Sequence, residues 1–350
     1  VALGTVADVV PLDRNNRIMV SHGLKLIRHG QSIPGISALL KLGNRALTTL
    51  TASDLGFAVA PRLNAAGRLT DMSLGIECLI TDDETSARQM ATQLDELNRE
   101  RRQIQDEMQA QALLEMETLL QAADGEVQDG ICLYQPDWHQ GVIGILASKV
   151  REKFNRPVIV FAREREGMLK GSARSVDGLH IRDLIEELAR LHSELIISFG
   201  GHAMAAGLSI HENGFDDFST AFNQLAQQQL AGIETGDHCF TDGPLAADDF
   251  SLQLAQAIQT AGPWGRAFPE PVFDGVFRLL DRRVVGGNHL KLRLQPEDDN
   301  RAIDAIAFNM TDEEWSIEPE MIVAVYRVAV NEYLGQQKLQ LMIEDIQPLT

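Results

Sequence analysis

The chain has 350 residues and a net charge of −19, with 44% hydrophobic and 23% charged residues, so it is long enough for two or three globular domains. It contains no apolar run of the roughly 18–20 residues that a membrane helix needs and no recognisable signal peptide, so we expect a cytoplasmic protein without membrane contact. Its three cysteines lie far apart without a C-x-x-C pair, which argues against a disulfide framework and a thiolate zinc site.

The negative charge is distributed unevenly along the sequence. Residues 1–75 carry a net charge of +4, whereas residues 76–130 carry −10 and residues 213–275 carry −8. A strongly acidic average argues against nucleic acid as a partner, but affinity for a phosphate backbone depends on local positive potential. The basic surplus near the start of the sequence leaves such a partner open.

The apolar run at residues 1–10 predicts a buried strand that contains Asp8. A carboxylate inside such a run must be paired, hydrogen-bonded or bound to a cation, because burying it otherwise is costly. Asp8 is therefore either a metal ligand or a carboxylate satisfied by backbone N–H groups. A polar turn is predicted at 13–17, followed by short helices at 24–27 and 36–42.

Two arginines and an asparagine are interleaved with small residues in the segment 61–69 (PRLNAAGRL). Arg62 and Arg68 suit phosphate because guanidinium stays charged and binds two oxygens at once, and Asn64 lies between them. The alternative is the start of a helix with solvated basic side chains.

A single long helix is predicted from a capping-box pattern at 81–84 onward. No glycine or proline occurs until Gly125, and apolar residues recur at spacings of three and four. The helix would have about 40 residues and a length of roughly 60 Å.

From residue 130 the pattern alternates between strands and helices, which predicts a compact α/β domain. The strands are expected at 131–134, 157–162, 169–173 and 195–199, and the helices at 141–154 and 181–191. His139, just before the first of these helices, either caps the helix or donates to an anion.

Two stretches of this domain have the composition of an anion-binding cradle. The segment 171–175 (GSARS) offers the hydroxyls of Ser172 and Ser175 and the guanidinium of Arg174. The segment 199–207 (FGGHAMAAG) offers main-chain N–H groups at Gly200 and Gly201 and the imidazole of His202. Each stretch alone is better explained as a tight turn at the end of a strand with a surface arginine nearby, whereas the two stretches together favour a phosphate cradle.

The C-terminal part predicts a small β-barrel of OB type after a helix at 215–231, an acidic linker and a Pro- and aromatic-rich junction at 262–273. Five strands are expected, at 276–280, 289–294, 303–308, 322–330 and 338–346, with turns at 286–288 and 335–336. The barrel either binds single strands through Arg282, Arg283, Lys291, Arg293 and Arg327 or is purely structural.

Several of these segments together resemble the RecJ family of single-strand-specific exonucleases, within the DHH phosphoesterase superfamily. The resemblance rests on seven motifs in one order over the whole chain: VALGTVADVVPL (1–12), PRLNAAGRL (61–69), HQGVIGI (139–145), GSARS (171–175), GGH (200–202), GPWG (262–265) and PEPVF (269–273). The family's Asp-His-His motif and its other metal-binding carboxylates do not occur in the sequence, and we expect them upstream. Only Asp8 matches a metal-ligand motif of the family.

The resemblance implies a multidomain fold of α/β and β parts. We expect the end of a DHH catalytic domain at 1–75, a long connecting helix at 76–128, an α/β DHH-associated substrate-binding domain at 129–235, a linker at 236–271 and an OB-type barrel at 272–350.

The implied activity is 5′-to-3′ hydrolysis of single-stranded DNA in repair and recombination, with two Mn²⁺ or Mg²⁺ ions and Asp8 as one ligand. The resemblance assigns substrate binding to the following residues: Arg174, Ser175, Ser172, Gly200, Gly201, His202, Arg62, Asn64, Arg68 and His139. It also implies a bacterial, monomeric protein with a single-strand-binding protein and a helicase as partners. Two alternatives stay open: a fragment that binds single-stranded DNA without cutting it, and a DHH phosphodiesterase acting on short oligonucleotides.

Overall fold

The computed structural model describes residues 1–122, 127–233, 239–287, 289–308, 310, 319–333 and 335–349. Within these residues the α-helices are α1 (Ala2–Ala7), α2 (Arg14–Arg28), α3 (Pro34–Leu42), α4 (Ala52–Asp54), α5 (Ala60–Leu69), α6 (Ser73–Ile80), α7 (Glu84–Ala122), α8 (Ile143–Phe154), α9 (Ile181–Leu191), α10 (Phe215–Leu230) and α11 (Leu252–Ala261).

The strands fall into two sheets. They are β1 (Ile131–Tyr134), β2 (Val158–Arg165), β3 (Met168–Arg174), β4 (Ser198–Gly201), β5 (Ala205–His211), β6 (Phe273–Val285), β7 (His289–Pro296), β8 (Ile303–Ala307), β9 (Met321–Tyr333) and β10 (Gln336–Pro348). The first sheet has the order β1-β2-β3-β5-β4, and the second is a closed barrel in the order β10-β8-β7-β6-β9.

The chain divides into two compact units, which we call the sheet unit and the barrel unit. The sheet unit contains the described residues of 33–42 and 61–237, and the barrel unit contains those of 1–32, 43–60 and 238–350. The domain boundaries expected from the sequence follow the order of the chain and stay predictions. In the two compact units, residues 1–32 and 43–60 group with the described residues of 238–350.

The strand predicted at residues 1–10 is wrong, because this segment forms α1 and a short connection. A short apolar run has no periodicity that separates a strand from a buried helix. Here α1 packs on α2 so closely that a Cβ at Gly23 would overlap Ala2. The turn predicted at 13–17 is also wrong: Asp13 caps α2 by accepting a hydrogen bond of 2.8 Å from the N–H of Asn16.

The long helix is confirmed as α7, which has 39 residues. Its cap differs from the predicted one. Asp83, rather than Thr81, accepts a hydrogen bond of 2.7 Å from the N–H of Ser86, since the helix begins at Glu84.

The sheet of the sheet unit is confirmed as α/β, with β1 and β2 parallel and the other pairs antiparallel. One face is covered by α9 and α10. Ile181, Leu184, Ile185 and Leu188 form the buried stripe of α9, at the spacing of an amphipathic helix. The strand predicted at 195–199 begins later, at Ser198, because Ile196 packs into the core before the strand starts.

The opposite face of this sheet is covered only in part. Side chains of α7 and α8, including Met108, Ala112 and Leu146, pack on Val158 and Val160 of β2. The outward positions of β3, β5 and β4 remain exposed or half-buried. The sheet therefore has an open half-face.

The OB-type barrel is confirmed, with all five expected strands. Strands β8 and β10 pair in parallel and complete the cylinder, and the remaining neighbours are antiparallel. The turn after β6 places Gly286 and Gly287 at positive φ (62° and 83°), a conformation that glycine adopts without strain. Asn288 of this predicted turn lies outside the described residues.

Helix α11 lies inside the segment predicted as a linker. Its buried residues Ala255 and Ile258 belong to the same hydrophobic core as Phe277 and Tyr326 of the barrel, and Phe250 just before it stacks at 6.0 Å from Tyr326. The helix therefore extends the barrel core. None of the described helices has the length and apolar character needed to cross a membrane.

We expect Ile258→Ala to destabilise the barrel unit by about 2–4 kcal/mol, because it leaves a cavity between α11 and the barrel. Hydrogen exchange of β6 and β9 peptides across a urea series measures the change. Gln253→Ala, on the exposed side of the same helix, is the matched control and should change stability by less than about 0.5 kcal/mol. Equal exchange in the two variants would contradict a shared core.

Candidate anion-binding site

The floor of the candidate site is the open half-face of the sheet. Ser172 of β3 lies opposite Gly207 of β5, which in turn lies opposite Gly200 of β4. A Cβ at Gly200 would have no atom of the described residues within 4 Å, and one at Gly207 would meet only the Gly171 carbonyl oxygen at 3.8 Å. Packing does not require these two glycines, so their lack of side chains keeps the floor accessible.

Arg174 lies beside this floor, and its guanidinium is held rigidly. Nε donates to Ser148 Oγ at 3.1 Å, and Nη1 donates to Ser172 Oγ at 3.2 Å and to the Ala173 carbonyl at 2.8 Å. Nη2 has no hydrogen-bond acceptor among the described residues. A Cβ at Gly144 would lie 3.0 Å from Nη2, so this glycine in α8 leaves the guanidinium its space.

The site has a surplus of positive charge. Burial lowers the pKa of Arg174, and repulsion from Arg68 and Arg151 lowers that pKa further. Burial is likewise the largest cause of the lowered pKa of Arg101, followed by Arg102 and Arg68. No carboxylate lines the groove over the floor in the part of the chain that the structure describes. A bound anion would relieve this repulsion.

Helix α5 reaches the groove through a close backbone contact. A Cβ at Gly141 would overlap the carbonyl oxygen of Arg68, and Arg68 Nη1 donates to the Gly141 carbonyl at 3.1 Å. His139 Nδ1 accepts from the Gly141 N–H at 3.1 Å, which leaves the proton of the neutral ring on Nε2. Glycine at 141 therefore allows Arg68 to stand at the edge of the groove.

Two of the residues assigned from the sequence are engaged in the protein interior. The Ser175 side chain is buried, and its hydroxyl donates to the Leu179 carbonyl at 2.6 Å. Arg62 is 11% exposed, and its Nε and Nη2 both lie 2.8 Å from Oδ1 of the buried Asp95. Neither group points to the groove, and their roles in substrate binding stay predictions.

Of the other assigned residues, Arg68 and Gly201 line the groove, and Gly200 lies opposite Gly207 in its floor. Asn64 is exposed one helical turn before Arg68 on α5, so the two side chains share a face. Gly201 has a φ of 151° and lines the groove, whereas His202 is exposed in the hairpin between β4 and β5. His139 is half-buried within the loop that leads into α8.

Asp8 does not lie in a buried strand, as the sequence suggested, but follows the C-terminal end of α1 and is not buried. Within the residues that the structure describes, no three His, Cys, Asp or Glu side chains come together as a metal site. The described residues therefore do not form a complete site for a catalytic metal. Asp8 provides a single carboxylate.

Lys170, Ser148 and Gly144 also contribute to the site, although the sequence patterns above do not single them out. Lys170 lies on the same face of β3 as Ser172 and Arg174, and the two-residue period of a strand gives this placement directly. Ser148 and Gly144 lie on α8, and their contacts with Arg174 depend on how the helix packs, which the sequence does not show.

Comparisons with known proteins agree with this arrangement of domains. Residues 128–228 match the family model described as the DHHA1 domain, and residues 241–345 match the one described as the RecJ OB domain. The first match contains the glycine floor and Arg174, and the second contains the barrel.

Similar proteins cover the whole chain. It is 49% identical over 350 residues to the single-stranded-DNA-specific exonuclease RecJ of Salmonella typhimurium, and it spans 60% of the length of that relative. It also resembles crystal structures of RecJ from Thermus thermophilus in complex with Mg²⁺ (TM-score 0.81, 25% identity) and with Mn²⁺ (TM-score 0.80, 27% identity). Both cover all of this chain, which covers 52% and 49% of theirs.

The ion pair that fixes α5 on α7 is testable. We expect Asp95→Asn to destabilise the sheet unit by about 3–5 kcal/mol, because it removes the buried negative charge that lies between the nearly buried Arg62 and the exposed Arg99. Glu84→Gln removes the partner of an exposed pair, Arg88–Glu84, and should cost less than about 1 kcal/mol. Urea unfolding of both variants gives the comparison, and similar midpoints would show that the Arg62 pair is not structural.

Proposed function

Because this chain belongs to the RecJ family, we propose that it holds single-stranded DNA by its 5′ end for stepwise 5′-to-3′ hydrolysis. The observation that carries the proposal is the open groove, which has glycines on its floor and uncompensated guanidinium groups at its edge. The site is small and strongly cationic, and it does not have to hold a base. The group of single-stranded DNA that best fits such a site is a terminal phosphate.

In this proposal Arg174 is the main phosphate ligand. Its Nε and Nη1 are already fixed by Ser148, Ser172 and the Ala173 carbonyl, so Nη2 is oriented before the phosphate arrives. Little side-chain entropy is then lost on binding. Ser172 Oγ accepts from Arg174 Nη1, which leaves the hydroxyl proton free to donate to a phosphate oxygen.

Arg68 and Asn64 extend the phosphate path beyond the groove. Both lie on one face of α5, and the Gly141 carbonyl orients the guanidinium of Arg68. Such contacts bind the sugar–phosphate backbone and carry no base information, which suits an enzyme that degrades any sequence. His202, Gly200 and Gly201 form the opposite side of the cradle.

Hydrolysis by two Mn²⁺ or Mg²⁺ ions is the proposed chemistry, by analogy with relatives whose structures are complexes with these metals. Asp8 is the proposed ligand from this chain. The described residues of this chain do not complete a metal site, so the ions would need ligands besides Asp8. A single-strand-binding protein and a helicase are proposed partners on the same family grounds.

We expect Arg174→Ala and His202→Ala each to weaken binding of a 5′-phosphorylated oligonucleotide by about 1.5–3 kcal/mol, the contribution of a hydrogen bond to a charged group. Binding of the 5′-hydroxyl oligonucleotide should change much less. Fluorescence anisotropy of both oligonucleotides provides the comparison, and equal losses for the two ends would contradict a 5′-phosphate site.

A nuclease assay with Mn²⁺ on the same samples distinguishes the alternatives. Release of mononucleotides from the 5′ end supports the exonuclease, and binding without release supports a DNA-binding fragment. Preference for the shortest oligonucleotides over long single strands supports a phosphodiesterase for short substrates.

The glycine floor gives a second test. We expect Gly207→Val to leave the free energy of unfolding within about 1 kcal/mol of the parent, because valine suits a strand and the added atoms enter open space. Affinity for the 5′-phosphorylated strand should fall at least about tenfold, since the branched side chain occupies the phosphate position.

The matched control is Ser209→Val, which lies two residues further along the same face of β5. It should leave stability unchanged within the same limit, and its affinity for the 5′-phosphorylated strand should fall much less than that of Gly207→Val. Full affinity in Gly207→Val would exclude the floor as the ligand surface.

A further inference from the structure

A second cationic surface lies in the barrel unit, on α2. This helix carries Arg14, Arg17, Lys25 and Arg28 and no acidic residue, in a chain whose net charge is −19. Its buried stripe is Val20, Leu24 and Ile27. Arg14, His22 and Lys25 lie away from this stripe and Arg17 lies at its edge, and these four residues line a groove with the Gly262–Pro263 segment and Phe268.

Arg17 is held in this groove without a counter-charge. Its guanidinium carbon lies 3.9 Å from the centroid of the Phe268 ring, and that ring stacks on Trp264 at 5.0 Å. Nε of Arg17 is buried and has no hydrogen-bond partner among the described residues. Within the same described residues, Arg14, His22 and Lys25 also form no ion pair. The groove therefore gathers positive charge that this part of the protein leaves unneutralised.

The segment opposite α2 is fixed in place. Gly265 and Phe268 exchange two backbone hydrogen bonds of 2.9 and 3.0 Å, and Trp264 Nε1 donates to the Ile258 carbonyl at 2.9 Å. The Leu12 N–H, just before α2, donates to the Arg266 carbonyl at 2.7 Å. Phe268 is thus positioned as a rigid platform for the Arg17 guanidinium, with no acidic residue among the described lining residues.

We propose that this groove, lined by Arg14, Arg17, His22 and Lys25, binds the phosphodiester backbone of a nucleic acid strand independently of its 5′ end and of its sequence. It is a separate site from the groove around Arg174. The proposal rests on the proposed function only in naming DNA as the strand.

The spacing of the basic residues favours a nucleic acid backbone. Arg14, Arg17 and Lys25 are distributed over about eleven residues of helix, a rise of roughly 16 Å, which corresponds to several consecutive phosphates at about 3.4 Å or more each. Ile18, an exposed apolar side chain, also lines the groove, so an acidic peptide is the alternative occupant that the test has to exclude.

The test is binding of a 5′-hydroxyl thymidine oligonucleotide of about 20 nucleotides to the full chain at about 50 to 200 mM salt. We expect Arg14→Gln/Lys25→Gln to weaken binding at least about tenfold and to reduce the slope of log K against log salt by about 1.4, or about 0.7 for each lost phosphate contact. Arg45→Gln/Arg88→Gln removes the same charge from exposed, ion-paired positions and should leave the slope nearly unchanged.

Two further measurements test whether DNA contacts this groove itself. Arg17→Lys preserves the net charge but removes the stacked planar group, and it should weaken binding by about three- to tenfold. DNA should protect Lys25 from amine acetylation, as read by mass spectrometry of the peptide that contains Lys25 after the labelled protein is digested.

The proposal is overturned if the groove double variant binds like the Arg45/Arg88 control, or if Lys25 reacts equally with and without DNA. It is also overturned if the groove variants lose affinity for a polyglutamate peptide but keep their affinity for DNA. The proposed function fails separately, when the 5′-phosphate preference does not depend on Arg174.

Discussion

The position of helix α5 is the constraint on which the cationic edge of the groove depends. One end of the helix is fixed by Arg62, which forms an ion pair with the buried Asp95 of α7. The other end is fixed by the backbone approach between Arg68 and Gly141, which requires a residue without a Cβ. Because both ends are fixed, the exposed residues Asn64 and Arg68 face the solvent in one orientation. The packing of α5 on α7 and on the loop before α8 therefore determines where the positive charge of this edge lies.

The arginines assigned to substrate binding from the sequence have different environments, and the difference lies in whether their charge is compensated. Arg62 faces a carboxylate that is itself buried, so its charge is neutralised within the protein. Arg174 has lost part of its hydration and is repelled by Arg68 and Arg151, as its lowered pKa shows. Uncompensated charge of this kind identifies a binding surface more reliably than net charge, since the whole chain is strongly acidic.

Much of the fold follows from local patterns in the sequence. The barrel strands alternate between buried and exposed side chains, and the long helix lacks glycine and proline, so both are predicted and found. The first ten residues are mispredicted, because a short apolar run is compatible with either structure. Helix α11 is not predicted, because the segment around it is acidic and contains glycine, which is typical of a linker.

For the site, the strand period that places Ser172 and Arg174 outward also places Ser175 inward, and the helical period separates Arg62 from Arg68. The contacts of Ser148 and Gly144 with Arg174, by contrast, arise only when α8 packs on the sheet.

The glycine floor affects how a substitution can impair this protein without unfolding it. Most damaging substitutions reduce folding stability, and the cell recognises them because chaperones and proteases act on unfolded chains. A surface lined by glycine is different, because a substitution there adds atoms to empty space and leaves the fold intact. The altered protein would therefore persist at normal abundance, and the substitution would be detected only by a measurement of what this surface binds.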